Sequence, residues 1–164
     1  MELDLRGVMR NFATGVCIVT TYVDGPTGRR HDAVTVNSLT SVSLDPPLVS
    51  VCLRQGSGFL ADLLTTKAWA VSILDVGAAD IARRFAKDRA SRAAAVHTLS
   101  AMPGERTGAL VLDSPGWMEC TLREHFEVGD HTVAIGEVVA VGTQERRPPL
   151  IFLHGRFHGL ESAP

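Results

Sequence analysis

The most regular polarity pattern runs from Trp117 to Val128. Met118, Cys120, Leu122, Phe126 and Val128 fall on one parity, and Glu119, Thr121, Arg123, His125 and Glu127 on the other. A period of two over so many residues predicts a long, half-buried antiparallel strand with its acidic side chains solvated or salt-bridged. Gly129-Asp130 then reads as a two-residue hairpin loop, and His131–Val141 (HTVAIGEVVAV) as the returning strand. Gly136 inside that strand marks a bulge or a close approach of another group.

The other apolar runs are short and β-branched, as strands require. Val16–Val23, a strand beginning near His31, Leu48–Leu53, Trp69–Leu74 and Ala109–Leu112 are predicted on this basis. Leu150–His154 and Phe157–Leu160 make a closing hairpin around Gly155-Arg156. Asp24–Arg30 is a polar turn cluster, so the first two strands should be joined by a longer loop. Helical spacing appears at Leu5, Val8, Met9 and Phe12, predicting a helix over Leu3–Ala13 that packs its apolar face on the body and ends at Gly15. It recurs at Phe59–Thr66, with Ser57 as N-cap, and at Val76–Asp88. Arg89–Glu105 is the least patterned part and reads as a short helix followed by a surface loop. Many strands, frequent turns and no βαβ unit point to a mainly β, antiparallel barrel with a few flanking helices, as one domain over residues 1–164.

One stretch breaks this regularity. Between the buried strand positions around Val34 and those after Leu48, the chain carries Asn37-Ser38 and Thr40-Ser41-Val42-Ser43, then Asp45-Pro46-Pro47. So many small hydroxyl and amide groups between two strands either satisfy a tight turn's own backbone or line a pocket. Asn37, Ser38, Ser41 and Ser43 could offer donors and acceptors to a polar ring edge. Arg54, Ser57 and the Gly56–Gly58 backbone at a helix start could hold a phosphate. Alone, that glycine spacing matches neither a P-loop nor a dinucleotide fingerprint.

Composition narrows the classes. The 164 residues are 45% hydrophobic and 21% charged, with a net charge of -2. No basic block offers the footprint of a nucleic-acid binder; Arg29-Arg30 and Arg146-Arg147 are isolated pairs. No apolar run approaches the roughly 20 residues of a membrane helix, so no membrane association is expected and the cytoplasm is the expected location. Cys17, Cys52 and Cys120 are far apart in apolar runs, without zinc or CxxC spacing, and are expected as buried thiols. No metal site is expected, and no serine nucleophile elbow is present.

Three blocks resemble the short-chain flavin reductases, the reductase components of two-component flavin-dependent monooxygenases, which share the FMN-binding split-barrel fold. They are Phe12-Ala13-Thr14-Gly15-Val16 with Val19-Thr20-Thr21; Thr35-Val36-Asn37-Ser38 running on to Val42-Ser43-Leu44-Asp45-Pro46-Pro47-Leu48-Val49; and Gly129-Asp130-His131 with Ile135-Gly136-Glu137-Val138. The resemblance implies a homodimer that reduces FMN or FAD with NADH or NADPH and supplies reduced flavin to a partner monooxygenase. It implies flavin along Thr35, Val36, Asn37, Ser38, Ser41, Val42 and Ser43, with Leu53, Arg54, Ser57 and Phe59 nearby. Arg84 and Phe85 match the family's helix near the flavin tail. His131 would position the nicotinamide. Asp32 departs from the small residues that relatives place before the Thr-Val-Asn-Ser block. A flavin-binding electron carrier or sensor without nicotinamide turnover, or an interaction module with an empty barrel, would fit the same scaffold.

Overall fold

The structure, a computed structural model, describes residues 3–160. Its centre is a seven-stranded antiparallel sheet in the order β3-β2-β6-β9-β10-β5-β4. The strands are β2 (Cys17–Gly25), β3 (Gly28–Val36), β4 (Thr40–Leu44), β5 (Pro47–Arg54), β6 (Ala68–Ile73), β9 (Gly116–Val128) and β10 (His131–Thr143). β1 (Thr14–Gly15) joins the closing hairpin β11 (Leu150–Leu153) and β12 (Arg156–Gly159) in a three-stranded sheet; β7 (Ala101–Pro103) pairs with β8 (Leu110–Leu112). β3 and β4 lie at opposite ends of the seven-strand order, yet only residues 37–39 separate them in sequence. The link Asn37–Leu39 therefore crosses the opening between the two ends of the sheet, and the barrel is split there.

Alternation builds two cores. Cys17 and Val19 join Val36, Val51, Leu53, Trp69 and Ala134 in one cluster, while Val16 and Ile18 join Ala33, Ala82, Phe85 and Leu150 in another. With both faces of β2 buried, its sequence is a continuous apolar run rather than an alternating one. The helix α2 (Gly58–Thr66) adds Phe59, Leu60 and Leu63 to the first core. Its N-cap is Ser57, whose Oγ accepts the Leu60 N–H at 3.2 Å, as expected. Gly136 is both a bulge and a close approach. The β9–β10 register shifts between Ile135 and Gly136, and a Cβ on Gly136 would overlap Cζ2 of the buried Trp69.

Several expectations are corrected. The first helix, α1, spans only Leu5–Met9, and Leu5, Val8, Met9 and Phe12 are each at least half exposed. A helix of little more than one turn cannot lay four such side chains on one surface. Gly15 does not end it but lies in β1. The β2–β3 hairpin has no long loop: pairing runs to Gly25 and Gly28, leaving Pro26-Thr27 as the turn. Val76–Asp88 divides into a 3₁₀ turn, Val76–Ala78, and a short α3, Ala79–Arg84. Arg89–Glu105 contains α4 (Arg89–Ala95) and the strand β7.

The alternation of β9 is half-buried only over its first part. β6 pairs with Gly116–Thr121 and stops, so beyond it β9 is an edge strand held by β10 alone, and Phe126 and Val128 are exposed there. Glu119 is not solvated, and it makes no ion pair among the described residues. It is 1% exposed, and its Oε1 accepts from the Arg106 N–H (3.0 Å), the Thr107 N–H (2.7 Å) and the Thr107 hydroxyl (2.8 Å). The carboxylate satisfies the backbone of the 104–108 loop, which is why burial is tolerated.

Candidate active site at the split of the barrel

A cleft of about 340 Å³ opens at the split, lined by Val34–Ser38, Cys52–Arg54, Ser57, Phe59, Arg92 and His131. Nine of the residues singled out in the sequence meet here: Thr35, Val36, Asn37, Ser38, Leu53, Arg54, Ser57, Phe59 and His131. Leu53 and Phe59 are buried in the core beneath it.

Two of the hydroxyls are engaged in building the wall. Ser38 Oγ accepts the Cys52 N–H at 3.0 Å and donates to the Cys52 carbonyl at 3.2 Å, pinning the crossing link to β5. Thr35 Oγ1 donates to the Ala82 carbonyl at 2.6 Å, and the Thr35 N–H donates to the Phe85 carbonyl at 3.0 Å, fastening β3 to the end of α3. The groups left to meet a ligand are the exposed Asn37 amide and the Arg54 guanidinium, which makes no ion pair among the described residues.

Arg54 faces His131 in the β5–β10 register. The hairpin tip is held to β5 by Gln55, whose N–H donates to the Asp130 carbonyl (3.0 Å) and whose amide donates to the His131 carbonyl (3.2 Å). Asp130 Oδ1 lies 2.7 Å from His131 Nδ1, leaving Nε2 as the unengaged ring nitrogen. The hydrogen bond from His131, then its charge and that of Arg54, hold the Asp130 carboxyl below its ordinary value.

Other expected residues stand outside the cleft wall. Ser41, Val42 and Ser43 are on β4, the sheet's edge strand, where the pairing with β5 shifts between Ser41 and Ser43. Arg84 is exposed and donates to Thr98 Oγ1 at 3.0 Å. The Phe85 ring is sealed in the second core, 1% exposed, and only its carbonyl reaches Thr35.

Two wall residues escaped the sequence reading. Cys52 is exposed, because it points to the opposite face of β5 from the buried Val51 and Leu53; Cys17 and Cys120 are buried as expected. Burial pushes the Cys17 and Cys120 thiols up to about 12. Arg92, on α4, is buried against Asp32: Nε donates to Oδ1 at 3.0 Å and Nη2 to Oδ2 at 2.9 Å, while Nη1 donates to the Lys87 carbonyl at 2.9 Å. The signal for Arg92 was Asp32 itself, a charge within a buried strand that requires a partner.

Comparison with known proteins identifies the family. The flavin reductase like domain matches residues 9–161. An NADH-dependent FAD reductase of Streptomyces globisporus is 36% identical over 158 residues, covering 95% of this chain and 84% of the relative. Among solved structures, BorF, the flavin reductase component of a bacterial two-component tryptophan halogenase, superposes with a TM-score of 0.87 at 33% identity, over 98% of both chains. The Streptomyces globisporus NADH:FAD oxidoreductase SgcE6, solved with NAD and FAD fragments, gives 0.86 at 33% identity over 99% of this chain and 98% of its own. The chain belongs to the flavin reductase like domain family.

Proposed function

We propose that residues 1–164 act as one NADH-dependent flavin reductase domain that takes FMN or FAD as a substrate and passes reduced flavin to a partner monooxygenase. The observation that carries this reading is the cleft at the split, which sets the exposed Arg54 guanidinium and Asn37 amide beside a histidine held by Asp130. Flavin supplies the redox chemistry, accepting a hydride at N5 from the nicotinamide C4. The protein's work is then to hold two rings face to face. Asn37 and the backbone of the crossing link meet the flavin's polar ring edge, while Arg54 and Ser57, at the start of α2, meet its phosphate. Ser38 and Thr35 shape the wall, and His131 positions the nicotinamide. The relatives named above support NADH as donor and a two-component system as the setting.

The chain works as a homodimer in the cytoplasm. The support for pairing is the exposed apolar set on α1, just after it and on β4: Leu5 and Val8, Phe12, and Val42 and Leu44. No helix among the described residues is long and apolar enough to cross a membrane. The deciding experiment mixes purified protein with NADH and either FMN or FAD and follows loss of the NADH absorbance. Flavin-dependent oxidation is expected. Its absence with both flavins overturns the proposal, and tightly held flavin without oxidation would instead indicate an electron carrier.

A further inference from the structure

Arg92 lines the cleft at the split of the barrel although it is only 8% exposed. A guanidinium carries five N–H groups. Nε and Nη2 of Arg92 donate to the two Asp32 oxygens, and Nη1 donates to the Lys87 carbonyl. Three N–H groups are thus engaged, and two, one on Nη1 and one on Nη2, have no partner among the described residues. A buried donor is rarely left unmade, because it then bears the cost of its lost hydration. Two such donors in the wall of a ligand cleft call for acceptors on the ligand.

The packing of α4 sets this guanidinium at the α2 end of the cleft. Arg89, about one helical turn before Arg92, donates to Asp62 Oδ2 at 2.6 Å and lies against Gly58, where a Cβ would overlap its Nη1. Gly58 follows Ser57, and Ser57 and Arg54 line the same cleft as Arg92. Asp62 is occupied by Arg89 and, at 3.6 Å, by Arg30, so Asp32 is the carboxylate that faces Arg92. Asp32 is itself fixed to β3, because its Oδ1 also accepts the Ala33 N–H at 2.8 Å. Arg92 is therefore preorganised and has little rotamer freedom to lose when a ligand binds.

We propose that Arg92 donates its two remaining N–H groups to the phosphate beside the flavin's ribityl chain, and that Asp32 limits how tightly it does so. The inference rests on the flavin-reductase reading, since it assigns a further residue within that site. Guanidinium N–H groups match phosphate oxygens in direction as well as charge. Arg54 is exposed, makes no ion pair among the described residues and supplies net positive charge. Arg92 supplies direction with its charge already matched, because the Asp32 carboxylate repels the phosphate while the guanidinium attracts it. The phosphate is held in register yet remains free to leave, which suits a flavin that is handed on after reduction.

The test measures equilibrium binding of FMN and of riboflavin, which lacks the phosphate, to the wild type, to Asp32→Asn and to the double variant Asp32→Leu with Arg92→Met. Thermal melting reports whether each variant folds. The quantity read is the ratio of FMN affinity to riboflavin affinity. Asp32→Asn is expected to raise it about fivefold, because the charge of Arg92 is then unmatched, and the double variant to lower it about fivefold. A pair with a structural role alone would move both ligands together and leave the ratio unchanged. A ratio unchanged in either folded variant, or lowered in Asp32→Asn, overturns the proposal, while NADH oxidation that depends on added flavin keeps the reductase reading intact. The wild type decides the matter if a variant does not fold. The proton–nitrogen NMR signal of its Arg92 Nε–H is expected to shift further with FMN than with riboflavin, and equal shifts overturn the proposal. A wild type that binds neither flavin overturns the reductase reading and this inference with it.

Discussion

Asp32 and Arg92, sixty residues apart in sequence, meet as a doubly hydrogen-bonded ion pair of which neither member is more than 8% exposed. Removing one member leaves the other charge buried without its counterpart, which is far costlier than removing both. Arg92→Met is expected to lower stability by about 3 kcal/mol, and the double change Asp32→Leu with Arg92→Met to recover most of that loss. Urea unfolding of the two variants checks this. Equal stability of the single and double variants would show that the pair is not a coupled unit.

Gly136 and Trp69 form a second dependency. The indole fills the space a Cβ would need, and Trp69 is fully buried, so it has nowhere to retreat. Gly136→Ala is expected to destabilise by about 2 kcal/mol through overpacking. A compensating Trp69→Phe change in the same protein should return part of it. Chemical denaturation of the single and double variants reads both effects.

These examples mark what the sequence can carry. Local signals were legible: the period-two pattern of β9, the Gly129-Asp130 turn, Ser57 as a helix cap and Gly136 as a special glycine. Each depends on residues a few positions apart. The burial of Glu119 was not legible, because the loop that claims its carboxylate lies twelve or more residues upstream and has no pattern of its own. Arg92 was hidden for the same reason, in an alanine-rich segment that looks like any solvated helix. At the site, the Thr35–Ser38 block identified the wall but not the use of its hydroxyls. Whether an oxygen faces a ligand or a neighbouring strand is decided by the crossing link and its bonds to Cys52 and Ala82.

Asp130 makes a pH-dependent prediction. Its carboxyl is held below its ordinary value of 3.8, chiefly by the hydrogen bond from His131 and then by that residue's charge. A lowered folded value means the group adds stability above its unfolded value and loses it as pH falls through the folded one. The stability gap between wild type and Asp130→Asn should therefore be present at neutral pH and close as the pH falls from about 5 to about 2. Melting temperature against pH in the two proteins measures it. A gap that persists at the acid end would show that the effect does not come from the ionised carboxylate.

His131 should separate the two ligands. Its ring lies opposite Arg54 at the cleft wall and is oriented by Asp130, while the flavin groups are assigned to Asn37, Arg54 and Ser57. His131→Ala is expected to raise the KM for NADH about tenfold, a loss of positioning, while flavin affinity stays within about twofold. Asp130→Asn should reproduce a smaller part of the same change. Steady-state kinetics with each substrate varied in turn distinguishes the outcomes, and an unchanged KM for NADH removes His131 from the mechanism.

The three cysteines provide the last check, because they report the cleft directly. Cys17 and Cys120 are buried, with thiols pushed up to about 12, and the thiolate is the reactive form. Cys52 is exposed on the cleft wall, its backbone bracketed by Ser38. A thiol reagent applied to the native protein should modify Cys52 alone, and peptide mapping should find the other two unreacted until denaturant is added. If flavin occupies this cleft, saturating FMN should slow Cys52 modification about tenfold or more, by covering the sulfur rather than by altering its ionisation. Cys52→Ser should abolish the native-state reaction and leave the barrel's unfolding curve unchanged. Modification that proceeds at the same rate with flavin bound would place the ring elsewhere.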